Sequence, residues 1–213
     1  MTSPVLDFWF DFASTYSYPA AIRIAPLARE AGVTVRFCPF LLGPVFKTQG
    51  WNTSPFNLYP AKGRNMWRDL ERLCGDVNLP FRRPEPFPQN SLLAARVALV
   101  GLNTTWGEEF CRTVFRAEFC EGRQIDDPAV ISDILERLQV KSTPVLDAAR
   151  TDQTKASLRL KRRGGSAFSA RRVLSLRTVS YFGAMIVSNA PLLGQRMGAE
   201  TAPTTSCSSA GGH

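Results

Sequence analysis

The sequence has little of several residue types on which common enzyme classes depend. Its single histidine is His213, the last residue, and its five cysteines are scattered, with no CxxC pair and no metal-ligand spacing. Serine, cysteine or metal catalysis that needs an internal histidine is therefore excluded. A disulfide framework is not expected in a chain of 213 residues with this pattern, and free, mostly buried thiols are predicted instead.

Long apolar runs and a secretion signal are also lacking. No apolar run approaches the ~20 residues that a membrane span needs. The first residues show no basic region followed by an apolar core and a small-residue cleavage site. We therefore predict a cytoplasmic protein with no membrane partner. An apolar content of 44% is typical of a globular chain that buries a real core.

Positive charge is unevenly distributed along the chain. The net charge is +8, but residues 1–150 contain 17 Lys/Arg against 16 Asp/Glu, whereas residues 151–213 contain 9 against 2. A basic tail can bind nucleic acid or an anionic membrane. Because the body is nearly neutral, we predict no nucleic-acid partner, and a basic-tailed binding protein is the alternative.

The first forty residues have the pattern of a βαβ unit. Val5 to Phe12 predicts a buried strand, residues 16–31 a helix that ends at Gly32, and residues 32–38 a second, parallel strand. Residues 41–60 are rich in glycine, proline and asparagine and are predicted to be irregular. Residues 62–140 are mostly amphipathic helix. The pattern predicts an α/β fold with an inserted all-helical domain.

Ser14 lies between the first strand and the first helix, where two roles are open to it. A serine before a helix is most often an N-cap, whose side chain accepts a backbone hydrogen bond. A hydroxyl beside free backbone N–H groups at a helix N-terminus also favours a bound anion, including a thiolate. The residues alone leave both roles open.

Several stretches together carry a family resemblance. "FDFASTYSYPAA", "VRFCPFLLGPVFK", "NLYPAKG" and "LPFRRPEPFPQNS" resemble, in order and spacing, the 2-hydroxychromene-2-carboxylate isomerases, which are related to kappa-class glutathione transferases and DsbA-type oxidoreductases. The resemblance covers about residues 4–145. It implies a thioredoxin-like domain whose N-terminal βαβ part is residues 1–60, interrupted by a helical domain over residues 61–145.

The resemblance also implies a function. In that family a serine replaces the first cysteine of the CxxC position, and Ser14 matches it. Glutathione is then the cofactor, and its thiolate adds to a conjugated carbon of an aromatic carboxylate, a bond rotates and the thiolate leaves. The implied reaction belongs to the degradation of naphthalene-like compounds. A kappa-like glutathione transferase is the alternative enzyme, and a homodimer is implied.

Six further residues are implied as site residues by the same resemblance. Lys47 matches a substrate-binding lysine, and the pair Asn57 and Leu58 matches a substrate-contacting pair. Asn52, Lys62 and Asp69 lie in stretches that resemble the active-site loop and the helix after it, and are implied as glutathione-binding or loop residues. Taken alone, Lys47 is a solvated surface lysine.

The resemblance fails after about residue 145. The family continues with a segment like G-[VI]-F-G-[VA]-P-[ST]-F, whose cis-proline borders the glutathione site, whereas this chain has no proline from Ala156 to Ala190. Regrouping the codons of residues 166–191 by one base can spell G-I-F-G-A-P-S-F and then G-N-D-R-L. We therefore hypothesise a change of reading frame between about Asp147 and Gly165.

This hypothesis makes residues 146–213 an aberrant basic tail. The tail then replaces the C-terminal part of the thioredoxin-like domain, which is predicted to be lost or disordered. The sheet would expose an edge where its last strands are missing. We accordingly predict a chain that is weakly active or inactive and less stable than its relatives, with an inactive remnant as the extreme case.

Overall fold

The N-terminal part of the chain forms the expected βαβ unit. The structure is a computed structural model that describes residues 3–169 and 185–188. Strand β1 (Val5–Phe10) and strand β2 (Thr34–Pro39) pair in parallel, with Val5 opposite Thr34, and helix α1 (Ser17–Glu30) connects them. Gly32 has a φ of +66°, which a side chain would strain, and makes the turn from α1 into β2.

Two short helices lie in the segment that was predicted to be irregular. Helix α2 spans Leu42–Thr48 and helix α3 spans Pro55–Leu58. The prediction failed because proline marks helix starts as well as turns. The Ser54 hydroxyl accepts a hydrogen bond from the Phe56 amide at 3.3 Å, and Pro55 stands in the first turn. Neither helix contains a buried residue.

Six further helices follow, and they begin where the helical region was expected. They are α4 (Pro60–Asp76), α5 (Leu92–Gly101), α6 (Gly107–Phe119), α7 (Pro128–Arg137), α8 (Ser142–Arg150) and α9 (Asp152–Ser169). Asp127 caps α7, since its carboxylate accepts a hydrogen bond from the Ala129 amide at 2.8 Å.

One hydrophobic core joins the βαβ unit to the helices. The ring of Phe115 on α6 lies 5.7 Å from that of Phe10 and 5.0 Å from that of Phe12, centroid to centroid, and all three side chains are fully buried. Aromatic pairs at these distances contribute beyond the area they bury. The helical region is therefore packed against the end of β1, where Ser14 follows.

The body of the protein continues past the predicted boundary at residue 146. That boundary falls inside α8, and Ala149 on α8 and Leu158 on α9 belong to the same core. A short strand, β3 (Met185–Ser188), pairs antiparallel with β1, with Leu6 opposite Ser188, and gives the sheet order β2-β1-β3. The edge of β1 was expected to be exposed, but β3 pairs with it from Leu6 to Trp9. The predicted loss of the rest of the C-terminal part falls on residues outside those described.

Candidate active site

A cavity of about 760 Å³ opens beside the C-terminal end of β1. Its walls come from the turn of residues 11–16, from α2 and residues 51–57, and from the loop of residues 87–91. The end of a strand that leads into a helix is a common place for a ligand site in α/β folds. Four of the residues implied as site residues line it, and they are Ser14, Lys47, Asn52 and Asn57.

Ser14 is not the cap of α1. The N-cap position belongs to Tyr16, and no side chain caps the helix. The Ser14 amide donates to the carbonyl oxygen of Asp11 at 3.0 Å, and its own carbonyl accepts from Ser17 at 3.1 Å. The half-buried Ser14 side chain lines the cavity. Its hydroxyl is therefore available to a ligand rather than committed to the helix.

The backbone offers fewer donors to an anion at this turn than the sequence suggested. The amides of Ala13 and Ser14 both donate to Asp11, at 3.1 and 3.0 Å. Within residues 3–169, the amides of Thr15 and Tyr16 have no hydrogen-bond acceptor. The donors left for a bound anion at this turn are thus these two amides and the Ser14 hydroxyl.

Lys47 supplies the positive charge at the cavity. It stands in the last turn of α2 with an exposed side chain, and Asp11 is the other charged residue among the described lining residues. The rings of Phe46 and Trp51, with centroids 6.0 Å apart, form apolar lining beside it. An ammonium group next to aromatic surface suits a ligand that is both apolar and negatively charged.

Asn57 joins two walls of the cavity. Its side-chain Nδ2 donates to Thr53 Oγ1 at 3.2 Å and to the carbonyl oxygen of Phe87 at 3.1 Å. Both N–H groups of the amide are therefore used inside the protein, and its Oδ1 remains as an acceptor. Asn57 holds α3 against the loop of residues 87–91.

Three residues implied as site residues do not line the cavity. Leu58 is 43% exposed on the outer side of α3. Lys62 extends over the ring of Tyr59, with Nζ 4.7 Å from the ring centroid. Asp69 lies behind Tyr16 and accepts a hydrogen bond from its hydroxyl at 2.9 Å. Burial, with the Asp69 carboxylate second, raises the pKa of Tyr16 to about 12.

Asp11 is a site residue that sequence reasoning missed. It is 3% exposed, lines the cavity and lies three positions before Ser14. Burial raises the pKa of this carboxyl group above its ordinary value, and hydrogen bonds from Leu42, Ser91 and Ala13 oppose that rise without cancelling it. A charged residue inside the apolar run from Val5 to Phe12 was the available signal.

The described part of the chain contains neither a candidate metal site nor a helix that could span a membrane, and its cysteines are unpaired. Its His, Cys, Asp and Glu side chains form no cluster of three or more that could hold a metal ion. Cys38, Cys74, Cys111 and Cys120 are free thiols there. None of the helices described is long and apolar enough to cross a membrane.

Comparison with known proteins agrees with this architecture. The model of the DsbA-like thioredoxin domain matches residues 5–171, which is most of the chain. The chain belongs to the DsbA-like thioredoxin domain family. The expected thioredoxin-like fold is thereby confirmed, and helices α4 to α8 follow its N-terminal βαβ unit.

Two curated relatives of this DsbA-like domain carry the names that the resemblance suggested. Glutathione S-transferase kappa 1 of Caenorhabditis elegans is 38% identical over 85 residues, which are 39% of this chain and 37% of the nematode protein. The 2-hydroxychromene-2-carboxylate isomerase of Sphingobium xenophagum is 34% identical over 83 residues, which are 38% of this chain and 42% of that protein. The chain thus matches about two fifths of the length of these relatives.

A solved structure extends the likeness over more of the DsbA-like domain. The structure of a 2-hydroxychromene-2-carboxylate isomerase superposes with a TM-score of 0.66 at 23% identity and covers 78% of this chain and 80% of its own. At that identity the superposition supports the fold. The predicted relationship to the isomerases and to kappa-class glutathione transferases is confirmed.

Proposed function

We propose that this protein is a glutathione-dependent isomerase of the 2-hydroxychromene-2-carboxylate type, acting on an aromatic carboxylate. The observation that carries the proposal is the cavity that Ser14 and Lys47 line together, with aromatic surface beside Lys47. The relatives named as an isomerase and as a glutathione transferase support the same chemistry. Glutathione is abundant in the cytosol, which fits the predicted cytoplasmic location.

The residues present fit glutathione as the cofactor. The Ser14 hydroxyl and the amides of Thr15 and Tyr16 are uncommitted donors at the start of α1, where the helix dipole favours negative charge. Glutathione held there would supply a thiolate nucleophile for reversible addition to a conjugated carbon of the substrate. Ser14 donates a hydrogen bond to the sulfur and so favours its ionised form.

The remaining lining residues bind and orient the substrate. Lys47 pairs with the substrate carboxylate, and Phe46 and Trp51 contact its ring. Asn57 presents Oδ1 as an acceptor and fixes the distance between two walls. Asn52 also lines the cavity and is proposed as a loop contact to glutathione. A homodimer, as the resemblance implies, remains part of the proposal.

The proposal is tested by isomerase turnover with and without glutathione, followed by substrate absorbance. We expect turnover only with glutathione, no consumption of the thiol, and a loss of at least about 100-fold in Ser14→Ala. Ser142→Ala, at the start of α8 and away from the cavity, is the matched control. Lys47→Met should raise KM, and Lys141→Met should leave it unchanged. A Ser14→Ala protein with full turnover would contradict the role of Ser14.

A kappa-like glutathione transferase is the second candidate, favoured by the nematode relative. It is distinguished by accumulation of a glutathione conjugate with loss of free thiol, which an isomerase does not produce.

The nucleotide sequence across codons 145–195, read from an independent isolate, tests the proposed frame change. If that sequence restores the regrouped frame, the protein made from it should turn over substrate faster than this chain. Equal turnover by the two proteins would refute the hypothesis that this chain is an inactive remnant.

A further inference from the structure

Asp11 connects three separate segments of the cavity wall. We propose that Asp11 is the positioning residue of this site, whose carboxylate fixes the Ser14 turn relative to the starts of α2 and α5. The inference deepens the proposed function and rests on it only where glutathione is the ligand. Asp11 itself is not offered as a group that contacts the reacting atoms.

The hydrogen bonds of Asp11 come from three directions. Its Oδ1 accepts from the Ala13 amide at 3.1 Å and from the Ser91 hydroxyl at 2.5 Å, and its Oδ2 accepts from the Leu42 amide at 2.6 Å. Ala13 belongs to the Ser14 turn, Leu42 is the first residue of α2, and Ser91 is the N-cap residue of α5. All three partners act as donors, so the ionised carboxylate satisfies them together.

The backbone of Asp11 holds the same turn from the other side. Its carbonyl oxygen accepts a hydrogen bond from the Ser14 amide at 3.0 Å, so Asp11 binds the amides of two consecutive residues, Ala13 and Ser14. Ser91 and Asp11 are 80 positions apart in the sequence. A single side chain therefore sets the distance between the turn of residues 11–16 and the loop of residues 87–91, both of which line the cavity.

Asp11 has a second buried acid near it, Glu118, and the two differ in their hydrogen-bond partners. Glu118 on α6 is fully buried, and neither of its carboxylate oxygens has a partner among the described residues. Burial raises its pKa well above the ordinary value, and the nearby Asp11 and Asp126 raise it further. Asp11 is also buried, but three hydrogen-bond donors stabilise its carboxylate, whereas Glu118 has none among the described residues. The three hydrogen bonds to Asp11 therefore favour a negative charge on Asp11 over one on Glu118.

The first test compares Asp11→Asn with Asp7→Asn by hydrogen–deuterium exchange of the full chain. Asparagine has one oxygen and cannot accept from Ser91 and Leu42 at both positions. We expect amide exchange in residues 41–48 to accelerate about tenfold or more, while α6 keeps its protection. Asp7 is the matched control because it is an equally buried acid, 6% exposed, on the strand that precedes Asp11, and its Arg36 ion pair lies outside the cavity.

The second measurement is the affinity for glutathione by titration calorimetry. Asp11→Asn should raise Kd about tenfold, Ser91→Ala should raise it less, and Asp7→Asn should leave it unchanged. Unchanged exchange in residues 41–48, or equal acceleration in Asp7→Asn, would overturn the positioning role. Should Asp11→Asn fail to fold, Ser91→Ala decides, and unaltered exchange in residues 87–92 would then refute it. If the unaltered protein binds no glutathione but Asp11→Asn accelerates exchange, the proposed function fails and the positioning role stands.

Discussion

Glu118 should make the stability of the protein fall as pH rises. Its carboxyl group is fully buried on α6 with no hydrogen-bond partner among the described residues, so ionisation there is costly. The pKa in the folded protein lies well above the ordinary value of 4.5. Between those two pKa values the folded state binds one proton more than the unfolded state.

The size and sign of the effect follow from that proton difference. One proton corresponds to a slope of about 1.4 kcal/mol per pH unit in the free energy of unfolding. Because the folded state holds the extra proton, stability is lost as pH rises through this window. Glu118→Gln cannot ionise, so it should be more stable than the unaltered protein by an amount that grows with pH.

The assay is urea unfolding, followed by far-ultraviolet circular dichroism, at several values between about pH 5 and about pH 8. The quantity to compare is the difference between Glu118→Gln and the unaltered protein, since Asp11 and other groups titrate in both. Glu136→Gln, with an exposed carboxyl group on α7, is the control and should show no slope. A Glu118→Gln difference that does not change with pH, or that shrinks as pH rises, would refute the reasoning.

Three further substitutions test the packing around the site. Gly63→Ala should reduce substrate affinity, measured as KM, because the new Cβ would overlap the carbonyl oxygen of Phe56 on the cavity wall; an unchanged KM would contradict this. Phe115→Ala should lower the free energy of unfolding by about 3–5 kcal/mol in urea, since the ring is fully buried; a loss below about 1 kcal/mol would argue against the shared core. Tyr16→Phe should lower the free energy of unfolding by about 1 kcal/mol, because the hydrogen bond to Asp69 is lost. An unchanged free energy of unfolding would show that this hydrogen bond does not stabilise the protein.

Local patterns predicted most of the elements. The alternation and apolar runs before Cys38 located β1, α1 and β2 to within about two residues, because a strand and a helix differ in the spacing of their apolar residues. The segment from Leu42 to Leu58 was harder. Its glycines and prolines are compatible with both turns and short helices, so composition alone could not separate them.

The candidate site was only partly predictable for a geometric reason. Leu58, the last residue of α3, is 43% exposed and does not line the cavity, although Asn57 beside it does. A match to a pair of neighbouring residues therefore did not show which of the two side chains enters the site. The contact between Asp11 and Ser91 joins positions 80 residues apart, which no local pattern reports. Ser14 and Lys47 line the same cavity, and their roles there stay predictions of the family resemblance.

The absence of buried residues from α2 and α3 has a consequence for how the protein can change. Apart from Leu42 and Phe56, which pack against buried residues, most positions in these two helices could change the cavity wall at little cost in stability. The opposite wall, built on β1 and the Ser14 turn, is tied to buried aromatic rings and tolerates far less. A lineage could therefore change which ligands fit by varying one side of the pocket while the side that carries Ser14 stays constant.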